Sequence, residues 1–315
     1  MATIGLAGIG TGAATLAYAL WEAHQFTLRS VRVPVLAPGS RPVRVLQLTD
    51  LHLTPTQQDK MAWVRSLSEL DPDFVILTGD LLGHMDSVPY LAKTLEPLNG
   101  VPGVFVFGSN DYWSPKSVNP FKYFAKNREP KMSTRRLPTD ELESELLNAG
   151  WQSLNNTRGR MRVLGNSIDM RGVNDPHIRL DRYDDVAGPF DPDASLRLAV
   201  THAPYLRVLD PMAADGANLI IAGHTHGGQV CVPGYGALVT NCDLDTSRAK
   251  GASQWGASTA LHVSAGIGTS PYAPFRFCCR PEATMLTLVA SPIGGDDSFT
   301  PSPPVEADSL RTLTR

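Results

Sequence analysis

The chain has 315 residues, of which 42% are hydrophobic and 19% are charged, so it can bury a large core and lies outside the disordered range. A formal net charge of −3 argues against a protein that coats nucleic acid through a dominant positive field, and we expect no nucleic-acid polymer as a partner. Four cysteines without a CxxC pair make a zinc ribbon or a dense disulfide scaffold a poor interpretation.

Residues 1–30 contain an apolar run, residues 2–21, which has no charged side chain and is long enough to cross a bilayer as a helix. Four glycines and three threonines dilute its apolarity. Because arginines follow the run and no basic residue precedes it, the positive-inside rule predicts a cytoplasmic domain tethered to the inner face of the cell membrane. The alternative, which the sequence leaves open, is a helix packed on the core.

Five short apolar runs in the predicted folded body, residues 31–290, each lead into polar residues that are able to do chemistry. The runs are Val43–Leu48, Phe74–Leu77, 104–107, Leu196–Val200 and Leu219–Ala222. Such runs are typical of strands covered on both faces, and residues 60–70 and 139–149 are predicted helices between them. Because ligands bind beyond the carboxyl ends of strands in sheets of this kind, we expect the five segments to converge on one rim.

Two further segments have no such pattern. Residues 113–138 form a basic insertion with seven Lys or Arg side chains, one acid and four aromatic side chains. This composition suits an anionic headgroup or an acidic membrane surface, and the alternative is a solvated loop. Residues 291–315 are rich in Ser, Pro, Gly and acidic residues, which predicts a disordered tail.

The polar residues at the five strand ends share one kind of chemistry. They are Asp50, His52, Asp80, His202, His224 and His226. Carboxylate oxygens and imidazole nitrogens without cysteine suit Mn, Fe or Zn. A single carboxylate that bridges two such ions holds them about 3.5–4 Å apart, close enough to orient one hydroxide and bind one phosphate. Asp80 is the predicted bridge.

Several sequence blocks together resemble the calcineurin-like metallophosphoesterases. The matching blocks are Thr49-Asp-Leu-His52, Thr78-Gly-Asp80, Gly108-Ser-Asn-Asp111, Thr201-His202 and Gly223-His-Thr-His226. Blocks nearer the carboxyl end, among them Ser264-Ala-Gly-Ile-Gly-Thr269 and Arg276, are similar to a bacterial branch that often carries an N-terminal membrane segment. The resemblance implies an α/β fold, a four-layer α/β/β/α sandwich, with two divalent or trivalent metal ions.

The resemblance also implies a role for each matching residue. It assigns one ion to Asp50, His52, Asp80 and His226, and the other to Asp80, Asn110, His202 and His224. It implies a catalytic contribution from Asp80, Asn110 and His202.

One block departs from the family pattern, which is Gly-Asn-His followed by Asp or Glu. Without a gap, Ser109 falls on the ligand position and Asn110 on the position of the histidine. With a shift of one residue, Asn110 keeps the ligand role. In both alignments the histidine is missing, and an asparagine cannot act as a general acid.

The predicted function is therefore hydrolysis of a phosphate ester, in which a hydroxide activated by two metal ions attacks phosphorus. The expected substrate is a phosphorylated small molecule or lipid, with lipid-linked phosphates and nucleotides both open. The sequence does not separate a phosphatase from a phosphodiesterase, and it leaves the oligomeric state open. The alternative function is a catalytically weakened metal-binding scaffold, which the missing histidine suggests.

Overall fold

The fold was obtained as a computed structural model, which describes residues 2–116, 133–292 and 305–306. The helices within these residues are α1 (Ala2–Glu22), α2 (Gln58–Ser66), α3 (Val88–Leu95), α4 (Ser109–Tyr112), α5 (Thr139–Asn148) and α6 (Leu206–Ala214). The strands are β1 (Thr27–Leu36), β2 (Val43–Leu48), β3 (Phe74–Leu77), β4 (Gly103–Phe105), β5 (Gln152–Ser153), β6 (Thr157–Val163), β7 (Asn166–Gly172), β8 (Leu196–Val200), β9 (Leu219–Ala222), β10 (Cys231–Val232), β11 (Gly236–Ala237), β12 (Gly251–Trp255), β13 (Thr259–Val263), β14 (Glu282–Ala290) and β15 (Val305–Glu306).

Most strands belong to two mixed sheets. The first sheet has the order β15-β1-β14-β2-β3-β4-β5, in which β2, β3, β4 and β5 run parallel. The second has the order β12-β13-β9-β8-β7-β6, in which β13, β9, β8 and β7 run parallel. Strands β10 and β11 form a separate small hairpin. The predicted site residues follow the carboxyl ends of these parallel strands.

The two sheets pack face to face with helices outside them. Along β3, Phe74 and Ile76 point into the core between the sheets, whereas Val75 and Leu77 pack in the cluster that contains α2, α3 and α5. Helix α6 covers the outer face of the second sheet through Val208 and neighbouring residues. Because each buried strand alternates its side chains between two apolar layers, nearly every position is hydrophobic. The predicted α/β/β/α sandwich is confirmed.

Gln47, a fully buried polar side chain on β2, joins the two sheets. Its Nε2 donates to the carbonyl oxygen of Ala222 (2.9 Å) and to Thr78 Oγ1 (3.1 Å). Its Oε1 lies 2.8 Å from Nδ1 of His262, on β13. A buried amide is stable only when such partners satisfy it, so this network fixes how β2 sits relative to β9 and β13.

Most of the basic insertion and the tail lies outside the described residues. Of residues 113–138, positions 117–132 are not described; at the described ends, Trp113 pairs with Arg136 in an antiparallel bridge. Of residues 291–315, the structure describes 291, 292 and the strand β15, which pairs with β1. The roles expected for these two segments therefore stay predictions.

The expectation of a cytoplasmic domain tethered to the inner membrane face by residues 2–21 is wrong. Among the described residues, no helix combines the length and the apolarity that crossing a bilayer requires. The sequence of α1 contains four glycines and three threonines, which dilute its apolarity.

The carboxyl end of α1 is fastened to the domain. The Glu22 carboxylate, which is 2% exposed, accepts hydrogen bonds from the backbone N–H groups of Cys278 (2.8 Å) and Cys279 (3.0 Å). The Arg276 N–H donates to the carbonyl oxygen of Ala19 (3.0 Å), and the ring of Tyr18 packs edge-on against Phe277. Helix α1 thus holds the 276–279 loop.

We expect Glu22→Ala to lower the free energy of unfolding by about 1–3 kcal/mol, because it leaves the buried N–H group of Cys279 and the part-buried N–H group of Cys278 without their acceptor. Denaturant unfolding of both proteins measures the change. Glu69→Ala, at an exposed glutamate, is the matched control and should be neutral. Equal stabilities of Glu22→Ala and the wild type would contradict this account of α1.

Candidate metal centre

The predicted ligand residues follow the carboxyl ends of strands in both sheets and meet in one buried site. Asp50 and His52 follow β2, Asp80 follows β3, His202 follows β8, and His224 and His226 follow β9. All six are at most 8% exposed. Parallel strands from two facing sheets thereby bring residues more than 170 positions apart into contact.

Asp50, His52 and His226 form the first cluster. One ligand atom from each lies within 4.8 Å of the others. Nε2 of His226 is 3.5 Å from Asp50 Oδ1 and 3.2 Å from Nε2 of His52. Two imidazoles and a carboxylate that converge through their ligand atoms are a suitable donor set for Mn, Fe or Zn.

Asp50, Asp80 and His202 form the second cluster, whose ligand atoms also lie within 4.8 Å of one another. Nδ1 of His224 is 3.3 Å from Nε2 of His202, which adds a further imidazole at this side.

Asp80 belongs to the second cluster and also lies beside the first, while Asp50 is a member of both. Asp80 Oδ2 is 3.6 Å from Nε2 of His52, and its Oδ1 is 3.7 Å from Nε2 of His202. Each oxygen therefore faces one cluster, which is the arrangement that a carboxylate shared by two cations requires.

Five of the six residues have a left-handed backbone. The φ angles are 51° for Asp50, 42° for His52, 53° for Asp80, 71° for His224 and 49° for His226. Residues other than glycine rarely adopt this conformation, which costs of order 1–3 kcal/mol each and persists where the surroundings impose it. The sharp turns aim side chains back over the strand ends instead of away from them.

Glycine is required where the segments approach most closely. A Cβ atom on Gly108 would lie 2.4 Å from Asp80 Oδ1 and 2.7 Å from Nε2 of His202. Any side chain at position 108 would therefore displace the central carboxylate.

Backbone carbonyls orient the imidazoles. The carbonyl oxygen of Thr78 is 2.6 Å from Nδ1 of His202, and that of Gly268 is 3.2 Å from Nδ1 of His226. In a neutral imidazole, a proton held on Nδ1 by the carbonyl leaves the lone pair on Nε2, which is the atom that faces Asp80 or Asp50.

Burial and charge shift the pKa values strongly. Burial lowers the pKa of His226 to about 4 and that of His52 well below its ordinary range. Burial raises the pKa of Asp80 well above its usual range, and the nearby carboxylates raise it further while His202 opposes them. Imidazoles that are neutral at pH 7, beside carboxylates that repel one another, create a site that a cation would stabilise.

The residues present fit a metal pair. Asp50 Oδ1 is buried and, within the part of the chain that is described, has no hydrogen-bond partner, although its other oxygen accepts from Thr49 Oγ1 and from the His224 N–H. One oxygen is thus fixed by the protein and the other is left for a cation.

Asp111 caps the turn after Gly108, and the choice between the two alignments of this block stays a prediction. The Asp111 carboxylate accepts the N–H groups of Asp80, Leu81 and Gly108. The Asn110 N–H donates to Asp80 Oδ1 (2.7 Å), while its side-chain Nδ2 donates to the carbonyl oxygen of Trp113 (3.0 Å). The contact from Asn110 to Asp80 therefore comes from its backbone, and a ligand role for its side chain stays a prediction.

Comparison with known proteins identifies the family. A family model described as calcineurin-like phosphoesterase matches residues 43–228, more than half of the chain. The chain belongs to the calcineurin-like phosphoesterase family. It is accordingly a metal-dependent hydrolase of phosphate esters, in a family that uses a dinuclear centre. The resemblance seen in the sequence motifs is confirmed.

Three relatives of this phosphoesterase come from different organisms and have different descriptions. The uncharacterized metallophosphoesterase YkuE of Bacillus subtilis is 26% identical over 286 residues, which cover 85% of each protein. A bovine transmembrane protein with a metallophosphoesterase domain is 28% identical over 84% of this chain and 57% of its own length. The UDP-2,3-diacylglucosamine pyrophosphatase LpxG of Chlamydia trachomatis is 24% identical over 79% of this chain and 84% of its own length.

Sequence reasoning missed several residues around the phosphoesterase site. Arg276, recognised only as part of a motif, is fully buried and donates to the carbonyl oxygens of Ala265 (2.8 Å) and Gly268 (2.7 Å). It thereby holds the carbonyl that orients His226. Lys60 and Asp175 carry no sequence signal of a functional site, because a single Lys on a helix and an Asp in a polar loop resemble ordinary surface residues.

Lys60 supports the loop that carries Asp50 and His52. It is 6% exposed, and its Nζ donates to the carbonyl oxygen of Leu51 (2.8 Å) and to Gln57 Oε1 (2.9 Å). Burial lowers its pKa from the ordinary value of 10.5 to about 7. Above pH 7 the folded protein releases this proton while the unfolded chain keeps it, so Lys60 makes stability rise with pH up to about 10.5.

We expect the Lys60→Met variant to show a smaller rise in unfolding free energy between pH 7 and pH 10 than the wild type. Denaturant unfolding at several pH values in EDTA measures the slope. Lys93→Met, at an exposed lysine, should leave the slope unchanged. Parallel pH profiles for Lys60→Met and the wild type would refute the buried-lysine interpretation.

Proposed function

We propose that this phosphoesterase cleaves a phosphoanhydride or another phosphate ester with an acidic leaving group, at a centre where Asp80 is shared by two metal ions. The position of Asp80 between His52 and His202 carries the proposal. The proposed ligands of the first ion are Asp50, His52, Asp80 and His226. Those of the second include Asp80, His202 and His224, with the Gly108 turn offering Ser109 or Asn110.

The metal pair would supply Lewis acidity and a hydroxide at neutral pH. The protein's own part is to hold the donors in fixed directions. Asp80 is oriented by the Asn110 N–H, and His202 by the carbonyl of Thr78. Pre-oriented donors of this kind need no rearrangement when charge develops on the phosphoryl oxygens.

The leaving group is where this chain differs from its family pattern. Asn110 cannot give a proton to an alkoxide at any accessible pH. A nucleotide or lipid pyrophosphate needs less help, because a departing phosphate is already a weak base. The relative LpxG acts, by its name, on a pyrophosphate that is both nucleotide-linked and diacylated, which supports a phosphoanhydride of this general class.

We expect Asp80→Asn to lower hydrolysis of an aryl phosphodiester more than about 100-fold and to reduce the metal bound per chain, because both clusters lose a charge. The assay compares Mn-reconstituted proteins, with metal content measured by mass spectrometry. Asp59→Asn, an exposed carboxylate on α2, should retain activity. Full activity of Asp80→Asn would refute the proposal that two metal ions share this carboxylate. A metal-replete wild type without activity would instead favour the scaffold function.

We expect Asn110→His to raise the hydrolysis of an alkyl phosphodiester about 10- to 100-fold while changing that of an aryl diester much less, because a histidine there supplies the missing acid. Values of kcat for the two substrates measure the difference. If the wild type already cleaves the alkyl diester as fast as the variant does, the preference for acidic leaving groups is refuted.

A further inference from the structure

Asp175 lies at the same rim as the second cluster. Gly172, the last residue of β7, pairs in parallel with Val200, the last residue of β8. Asp175 and His202 follow these partners by three and two residues, so both leave neighbouring strands at one edge of the sheet. The ring of His177, two residues beyond Asp175, lies 4.5 Å from that of His224. The 173–177 segment therefore flanks the imidazoles of the second cluster.

The Asp175 carboxylate is only half satisfied. The residue is fully buried, and its Oδ1 accepts the His177 N–H at 2.8 Å. Its Oδ2 is also buried and has no hydrogen-bond partner among the residues that the structure describes. A buried carboxylate oxygen without a donor is strongly unfavourable unless a cation or another donor faces it.

Asp175 and His202 also influence each other electrostatically. Burial raises the pKa of Asp175 to about 6, and the charge of His202 opposes that rise. Burial lowers the pKa of His202, but the charges of Asp80 and then Asp175 outweigh it and raise the value to about 9.

The turn across from Asp175 is the one that departs from the family pattern. Asn174 Nδ2 donates to Tyr112 Oη at 2.6 Å, which joins the Asp175 segment to α4. In that turn, Ser109 offers only a neutral hydroxyl, and the amide nitrogen of Asn110 is committed to the carbonyl of Trp113. The Gly108 turn therefore offers the second cluster only neutral oxygen donors, and Asn174 joins the Asp175 segment to this turn.

We propose that Asp175 is a carboxylate ligand of the second metal ion, together with Asp80, His202 and His224. This assignment rests on the dinuclear centre proposed above. An anionic oxygen replaces the neutral amide of the family pattern, so the ion gains a stronger hard donor. The carboxylate that follows β7 thus supplies the strong oxygen donor that the Gly108 turn lacks.

The test is titration of full-length, metal-free protein with Mn²⁺ by isothermal calorimetry, with bound Mn counted by mass spectrometry. We expect the wild type to bind two ions. Asp175→Asn should keep the first and bind the second at least about tenfold more weakly, the loss typical of a missing contact at a metal site. Asp169→Asn, a buried carboxylate on β7 that accepts the Asp191 N–H, is the matched control and should bind both ions as the wild type does.

Melting temperatures separate a ligand role from a structural one. Because Asp175→Asn removes an unpaired buried charge, its melting temperature in EDTA should equal or exceed that of the wild type, and the rise caused by Mn²⁺ should be smaller. A lower melting temperature in EDTA with an undiminished Mn²⁺ effect would show a structural role and overturn the inference. If Asp175→Asn binds two Mn²⁺ ions with wild-type affinity, the ligand role of Asp175 is overturned but the dinuclear centre is not. If the wild type binds fewer than two Mn²⁺ ions, the dinuclear centre is overturned as well.

Discussion

The structure depends on holding several buried carboxylates close together at neutral pH. Asp80 and Asp111 repel each other in a site from which water is largely excluded. The protein offsets this repulsion with backbone N–H groups directed at Asp111 and with the charge of His202 beside Asp80. Such groups are concentrated only where parallel strands of two sheets end together, so the sandwich itself is a requirement of the chemistry. The left-handed turns after β2, β3 and β9 follow from the same requirement.

Much of this arrangement could be predicted from apolar runs that end in Asp or His. The predicted strands Phe74–Leu77, Leu196–Val200 and Leu219–Ala222 have the bounds seen in the structure, because strands buried on both faces are continuously apolar. The helix predicted at 60–70 is displaced toward 58–66, since its last turns tighten into a short 3-10 segment. The motif residues meet as expected, although their distances could not be derived from their order.

The other features of the fold and site could not be predicted, because only contacts in the folded structure reveal them. Strand β7 has the sequence NSIDMRG, whose polar residues hide a strand that is buried over most of its length. Asp175 follows it without any motif, and only the unpaired oxygen distinguishes it from a loop aspartate. The Gly108 turn allows two alignments in sequence, and its cap by Asp111 is a contact that the sequence does not reveal.

The Gln47 network lies immediately beneath the metal centre, because Thr78 and Ala222 each stand two residues before a predicted ligand, Asp80 and His224. The distance between ligands from opposite sheets therefore depends on the side-chain amide of Gln47. Side chains that never meet substrate would consequently share an evolutionary constraint: positions 47, 78 and 262 can change only in concert, since replacing one leaves another buried polar group unmatched. Laboratory evolution of this enzyme toward new substrates has more freedom at the rim than in this inner layer.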